Sequence, residues 1–411
     1  MQHDLEGSDY KRGSITLGGA VAMGTGVMIG AGIFALTGQI AQLAGPLFPL
    51  AFVAGAIITS FSAYSYIKAS NAWPSAGGIG MILQKCYGPG AVAAGAALLM
   101  VPILAVAVII FAFLVNIAGN RSVGRFSLVM AAVKISGIAL FGIAALWSSG
   151  FQFAAASTSV EAATVTGFIA SVALAILAFK GFTTITNSGA EVTEPHRNVG
   201  RAIVISIALC VLVYLLVAFG VGSSLTIDQI VAARDYSLAE AARPALGQTG
   251  FYLTVLLAAV ATASGVLASV FAVSRMLAML TDMKMIPHRH FGMPGNIQRH
   301  TLVYTVVIAS TLAIFFDLGR IASLGAFFSL VMDITVHWGV FRFRRKEVGA
   351  AGAVVLAALA FDAVVLSAFT AMKLLSDPAI VLIAGIAIAA VFAFERMYLS
   401  RWLAPQAIHD H

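Results

Sequence analysis

The sequence predicts an all-α protein that crosses a membrane many times, and three observations carry that prediction. Of its 411 residues, 60% are hydrophobic and only 10% charged, whereas a soluble domain carries roughly 25% charged residues. Apolar runs of about the ~20 residues that span a bilayer recur from one end of the chain to the other. The basic residues gather in the short segments between those runs, the pattern that orients membrane helices.

Eleven runs stand out: Ile15–Gln42, Pro46–Ala69, Gly90–Ile117, Phe126–Trp147, Val165–Ala190, Ala202–Gly222, Phe251–Leu280, Leu302–Phe316, Ile321–Phe341, Ala351–Leu374 and Ala379–Phe394. Residues 1–14 carry acids as well as bases, and the first run is too long for a signal sequence, so they are expected to form a retained cytoplasmic tail. Lys11 and Arg12, Lys68 and Lys85, "EPHRNVGR" (Glu194–Arg201), "DMKMIPHRH", "IQRH", "RFRRK", Arg396 and Arg401 are then all expected on the cytoplasmic side. The segment "LTIDQIVAARDYSLAEAARPALGQTG" is mixed in charge and predicts an external amphipathic helix or loop. One count does not close. Lys85 and Glu194–Arg201 on the same side require an even number of crossings between them, yet three runs intervene, so the Gly90–Ile117 region is predicted either to hide a short hairpin around Met100–Pro102 or to lack residues.

The net charge of +7 does not point to nucleic acid, because the bases are dispersed between hydrophobic segments rather than gathered on one face. Cys86 and Cys210 offer neither a disulfide framework nor a metal pattern and predict packing residues, and no cofactor or metal is expected. An enzyme would need a nucleophile or metal constellation, and none is present. A channel would need repeated filter loops and does not account for two different interrupted helices.

Chemistry is concentrated in two interrupted helices. "GTGVMIGAGIF" (Gly24–Phe34) places four glycines in an apolar run, each costing roughly 0.5–1 kcal/mol relative to alanine in a helix. Small residues four apart, Ala20/Gly24 and Gly26/Gly30, predict close helix packing. Packing does not account for Gly30 and Gly32 together, where the helix is expected to open. In "LAFKGFTTITNSGAEVTEP" (Leu177–Pro195), Lys180-Gly181 interrupts a second run. Two broken helices in corresponding halves point to a transporter site, because unwound backbone is intolerable against lipid but supplies ligands where it lines a cavity.

These segments, with "WPSAGGIGMILQKCYGPG", "NIAGNRSVGRFSLVMAAVKISGIALF", "DYSLAEAARPALG" and "SRMLAMLTDMKMIP" in their order and spacing, resemble the amino acid, polyamine and organocation transporter superfamily, in its bacterial amino acid permease branch. The resemblance implies a LeuT-like fold of two five-helix inverted repeats with broken first and sixth helices, followed by two accessory helices. On this chain the repeats would be residues 15–150 and 160–346, the accessory helices 347–398 and a C-terminal tail 399–411. It also implies a secondary active transporter of amino acids or related amines in the bacterial inner membrane, proton-coupled and working by alternating access. The alternatives are a passive permease or channel, or a structural membrane subunit. The implied substrate-binding positions are Ile29, Gly30, Ala31, Gly32 and Ile33 in the first break and Phe179, Lys180, Gly181 and Thr183 in the second. The first would cradle a carboxylate, carbonyls of the second would meet an ammonium, and Phe179 would be an aromatic gate.

Lys134 lies in mid-membrane, where a charge costs about 2.5–3.5 kcal/mol, and burial disfavours the charged form of an amine. The resemblance implies that it is the proton-coupling group, standing where sodium-coupled relatives hold a cation, with the Gly24 carbonyl and Ser264 as neighbours. Lys180 departs from the family pattern. It would either pair with an acidic substrate group or turn to Asp333 or Glu191. Asp333 and His337, four apart on one helix face, read as a polar relay or as a packing pair, and Glu191 as part of an inner gate.

Overall fold

The computed structural model describes residues 13–75, 78–88, 120–157, 164–282, 300–307, 310 and 318–403, and is helical almost throughout. Helix α1 (Leu17–Val27) starts on Thr16, whose hydroxyl accepts from Gly19 N, and is followed by a wide turn at Met28–Gly32 and by α2 (Ile33–Ala44). Gly45, at φ +53°, and Pro46 end α2 and lead into α3 (Phe48–Ala72). The positive φ explains the glycine, and the proline sits in the first turn of the next helical segment, where its missing N–H costs nothing. Beyond α3 come α4 (Ile79–Tyr87), α5 (Asn120–Ser148), α6 (Val165–Phe179) and α7 (Phe182–Asn187). They are followed by α8 (Pro195–Ser224), the short α9 (Ile227–Ala232) and α10 (Ser237–Ala241), and the long α11 (Arg243–Asp282). A helical stretch at 300–307 precedes α12 (Leu318–Gly339), α13 (Gly352–Ser376) and α14 (Pro378–Leu403).

Seven stretches among the described residues are long and apolar enough to cross a membrane: Ile33–Ala72, Ser127–Ser148, Val165–Asn187, Pro195–Ser224, Arg243–Thr281, Leu318–Arg344 and Gly352–Ser376. Leu17–Gly30 and Pro378–Phe394 are shorter apolar helices. At 1.5 Å per residue the first stretch would reach about 60 Å as one rod, twice a bilayer's hydrocarbon core. The turn at Gly45–Leu47 divides it, so α2 continues the broken first helix and α3 is a separate crossing. Eleven crossings are not established by these seven. The Gly90–Ile117 run lies outside the described residues, as do most of Leu302–Phe316, the "DMKMIPHRH" segment and both termini.

One expectation is refined. The segment expected to be external is neither one helix nor a loop but α9, α10 and the start of α11, with α9 opened by a reciprocal capping box between Thr226 and Gln229. It packs on α2 at Gly38, where an added Cβ would strike the Arg234 backbone. The run Val165–Ala190 divides where the sequence places the interruption, with α6 and α7 separated at Lys180-Gly181. The broken helices α1–α2 and α6–α7 form the centre, with α3, α5, α8 and α11 packed around them. Helices α13 and α14 keep Leu356, Val364, Leu382 and Ile386 exposed, as lipid-facing helices do.

Candidate functional site

The first break is a loss of helical dihedrals at two residues, Ile29 (φ −85°, ψ 33°) and Gly30 (φ −91°, ψ −138°). Gly32 keeps helical angles and begins α2. Gly30 carries a second constraint. A Cβ there would lie 3.2 Å from Gly265 Cα on α11, so backbone meets backbone across that helix pair. The second break is tighter. Lys180 and Gly181 hold near-helical angles, but the hydrogen bonds shorten to three-residue steps: Lys180 N to Leu177 O, Thr183 N to Lys180 O and Thr184 N to Gly181 O, each at 3.1–3.2 Å. That shift of one residue per turn leaves the Ala178 carbonyl free for an outside donor.

The two breaks touch. An added Cβ on Gly181 would come within 2.6 Å of Met28 N and 2.7 Å of Gly24 O. Tyr214, fully buried on α8, clasps both: its hydroxyl lies 2.5 Å from Met28 O and 2.9 Å from Ala178 O. A phenol has one proton to give, so the two carbonyls share a single donor. The Phe179 ring packs against Tyr214 with centroids 4.8 Å apart and planes tilted by 46°, and it is itself fully buried. It is not among the residues that line the cavity beside the breaks.

Beside the breaks is a cavity of about 190 Å³. Gly32, Ala178, Lys180, Gly181, Thr183 and Asn187 contribute to its wall, which extends to Leu36, Leu318 and Ile321. Ile29 and Ile33 are buried and do not line it; of Ala31 only the backbone is described. Ile15 N donates to Glu191 O and Thr193 N to Ile15 O, both at 2.8 Å, forming a parallel bridge beneath α7. The expected gate residue Glu191 contributes its backbone carbonyl to that bridge, and its side chain is buried.

Lys134 is fully buried on α5. Its ammonium donates to Gly26 O at 2.9 Å and Thr25 O at 3.2 Å, and reaches Ser264 Oγ on α11 at 3.5 Å. Three donors meet three oxygens from two other helices, which is how a buried ammonium is accommodated. In an unbroken helix Gly26 O would accept from the amide of Gly30; the break there leaves it open to the lysine. The expected Gly24 carbonyl is not a partner of Lys134. It accepts from Met28 N within α1 and faces Gly181, while the Gly24 Cα abuts Ile185 and Ser206. The reason is helix phase: one or two residues along α1 turn the carbonyl environment by ~100–200°.

Lys180 forms an ion pair with Asp333 on α12 and is not paired with Glu191. Asp333 also accepts from Tyr66 Oη at 2.7 Å and from Ser62 Oγ at 2.9 Å, both on α3. Ser62 Oγ in turn lies 2.8 Å from His337 Nε2, so Asp333 and His337 belong to one network, joined by Ser62. Sequence reasoning missed four members of these arrangements: Tyr214, Ser62, Tyr66 and Asp362. Asp362 was the accessible one. It is an acid in the middle of the apolar α13, the same signal that singled out Lys134.

Comparison with known proteins fits this architecture. The Amino acid permease family profile matches residues 99–394. The chain belongs to the amino acid permease family. It is 26% identical over 347 residues to the inner membrane transport protein YbaT of Escherichia coli, covering 76% of this permease and 79% of that protein. It is 23% identical over 372 residues to the branched-chain amino acid permease BcaP of Lactococcus lactis, covering 76% and 78%. Among solved structures, the nucleobase-cation-symport-1 family transporter MHP1, closed with bromovinylhydantoin bound, superposes with a TM-score of 0.55. The superposition covers 95% of this permease and 99% of MHP1 at 12% identity, a likeness of fold alone. This permease is therefore a multi-pass membrane transporter.

Proposed function

We propose that this permease is a secondary active transporter of amino acids or related amines, driven by protons, with substrate held between the two breaks and Lys134 as the coupling group. The observation that carries the proposal is the Lys134 ammonium on the carbonyls of Thr25 and Gly26 and the hydroxyl of Ser264. A cation bound among α1, α5 and α11 ties the first break to two neighbouring helices. Proton loss would remove that tie and free α1 to rearrange.

Gly30, Ala31 and Gly32 would offer amides to a carboxylate, and the carbonyls around Ala178 and Phe179 would receive an ammonium. The Ile15–Val192 bridge would be the closed inner gate of an alternating-access cycle, with the N-terminus cytoplasmic. Residues 15–150 and 160–346 would be its inverted repeats. Uptake into proteoliposomes across a panel of amino acids and amines, with and without an inward proton gradient, tests the function. Gradient-dependent uptake of at least one compound is expected; none across the panel overturns the assignment. Lys134→Ala tests the mechanism separately. Its gradient-driven uptake should fall at least ~10-fold, and an unchanged proton dependence would remove Lys134 from the coupling role.

A further inference from the structure

The buried network that starts at Lys180 on the cavity wall does not end at Asp333. His337 Nε2 also lies 3.3 Å from Asp362 Oδ2 on α13. Tyr66, Asp333, His337 and Asp362 are all fully buried, and of the charged members Lys180 alone reaches the cavity. Helices α3, α6, α12 and α13 pack on one another here. Among the described residues, the titratable and charged groups they turn towards the His337–Asp362 pair are Tyr66, Lys180 and Asp333.

Hydrogen-bond bookkeeping then constrains the protons. Ser62 has one hydroxyl proton and donates it to Asp333 Oδ2, so its 2.8 Å contact with His337 needs Nε2–H as the donor. Neither oxygen of Asp362, nor Nδ1 of His337, has a hydrogen-bond partner among the described residues. A bare, fully buried carboxylate beside a neutral imidazole is a costly state. One added proton balances the uncompensated charge in either position, as imidazolium facing carboxylate or as imidazole facing carboxylic acid. With that proton the charges of Lys180, Asp333, His337 and Asp362 cancel. A metal ion would satisfy the same donor set, since one ligand atom from each of Asp333, His337 and Asp362 lies within 4.8 Å of the others. However, the Asp333 oxygens are already taken by Lys180, Ser62 and Tyr66, so a metal would have to displace them.

We propose that His337 and Asp362 together hold one exchangeable proton, forming a second proton-binding site joined through Ser62 and Asp333 to Lys180 at the cavity wall. The site is separate from Lys134, whose partners are on α1 and α11. Its linkage to the cavity has a definite sign. Loss of the proton leaves the network with one excess negative charge, which opposes any anionic group approaching Lys180. Proton and anionic group therefore favour one another's binding, by equal factors.

The test needs no transport, so it succeeds or fails independently of the function proposed above. The full chain, labelled with 15N-histidine and reconstituted in lipid vesicles, is titrated from acid to alkaline pH by solid-state NMR, while infrared difference spectra follow the carboxylic acid band. His337→Gln identifies the histidine signal and Asp362→Asn the acid band. If His337→Gln does not fold, Ser62→Ala, which removes the hydroxyl at Nε2, shifts the same signal. Either an imidazolium at His337 or a protonated Asp362 is expected at neutral pH, lost in one step on alkalinisation, with Asp362→Glu retaining the step. Neutral His337 beside ionised Asp362 at neutral pH overturns the proposal. So does stoichiometric zinc or another metal that resists dialysis against chelator and is lost in Asp362→Asn.

Discussion

Two glycines on the first broken helix and its partner should respond oppositely to the same substitution. Gly181 has ordinary right-handed dihedrals (φ −57°, ψ −16°), so alanine is not strained by the backbone there. Its new Cβ would stand 2.6 Å from Met28 N, about 0.9 Å inside the ~3.5 Å at which non-bonded atoms rest comfortably. The atom it meets is main chain and has no rotamer to retreat into. Overpacking of that kind costs about 1–3 kcal/mol, and here it pushes apart the two breaks that Tyr214 holds together. At Gly26 the nearest atoms to an added Cβ are Ser264 Oγ at 3.6 Å, Lys134 Nζ at 3.8 Å and Ala268 Cβ at 3.9 Å, all ordinary contacts. Gly26→Ala therefore fits, and it gains up to ~1 kcal/mol of helix propensity inside α1. Thermal denaturation of the two purified variants in one detergent, followed by uptake in proteoliposomes, reads both effects. Gly181→Ala is expected to lower the midpoint and lose uptake, while Gly26→Ala matches or exceeds the parent in stability. If Gly181→Ala behaves like the parent, or Gly26→Ala is the more damaging, the described meeting of the breaks is wrong.

Tyr214→Phe keeps the ring on Phe179 but leaves two buried carbonyls without their shared donor, and should cost about 1–3 kcal/mol, read as a lower denaturation midpoint with unchanged helix content by circular dichroism. Asp333→Asn leaves Lys180 without its counter-charge. Breaking a buried pair costs about 3–5 kcal/mol, less here because the Lys180 side chain is 11% exposed at the cavity. Adding Lys180→Met to Asp333→Asn should recover part of that loss, and a purely additive double-mutant cycle would contradict the pairing. Cys86 on α4 is buried, and burial pushes its thiol up to about 12 despite the nearby Arg344. Its thiolate is then scarce at neutral pH, so N-ethylmaleimide should leave it unmodified in the native protein. Fast labelling would mean that α4 leaves α12, where Tyr87 Oη now donates to Thr335 O at 2.6 Å.

The helical class and many of the crossings are legible because hydrocarbon imposes a strict rule on composition: long apolar runs, with bases between them. The first break is legible for a related reason. Glycines that weaken a helix need a compensating use, and Gly30 has two, an opened backbone and a close approach to Gly265. What the sequence does not carry is phase. Lys134 and Ser264 come together as the family resemblance implies, yet the carbonyls that complete the site belong to Thr25 and Gly26, not Gly24. Nothing within α1 specifies its rotation against α5. Tyr214 is illegible for the same reason, since a tyrosine on an apolar helix announces no partner until two carbonyls are freed beside it.

Lys180 shows how a sequence can name a charge and leave its role undecided. A cation in the second break suits an acidic substrate group as well as it suits a structural partner, and only distance separates the two. In this conformation the ammonium is committed to Asp333, whose remaining hydrogen bonds come from Tyr66 and Ser62. An incoming carboxylate would have to compete with a carboxylate already desolvated and already positioned. Competition succeeds only if something else draws on Asp333, and Ser62, poised between Asp333 and His337, is the group through which that draw would be felt. Replacing Ser62 with alanine should therefore weaken any acid-dependent binding of anionic substrates while leaving the Lys180–Asp333 pair itself in place. Equal binding of such substrates by Ser62→Ala and parent across the pH range would show that Lys180 answers to Asp333 alone.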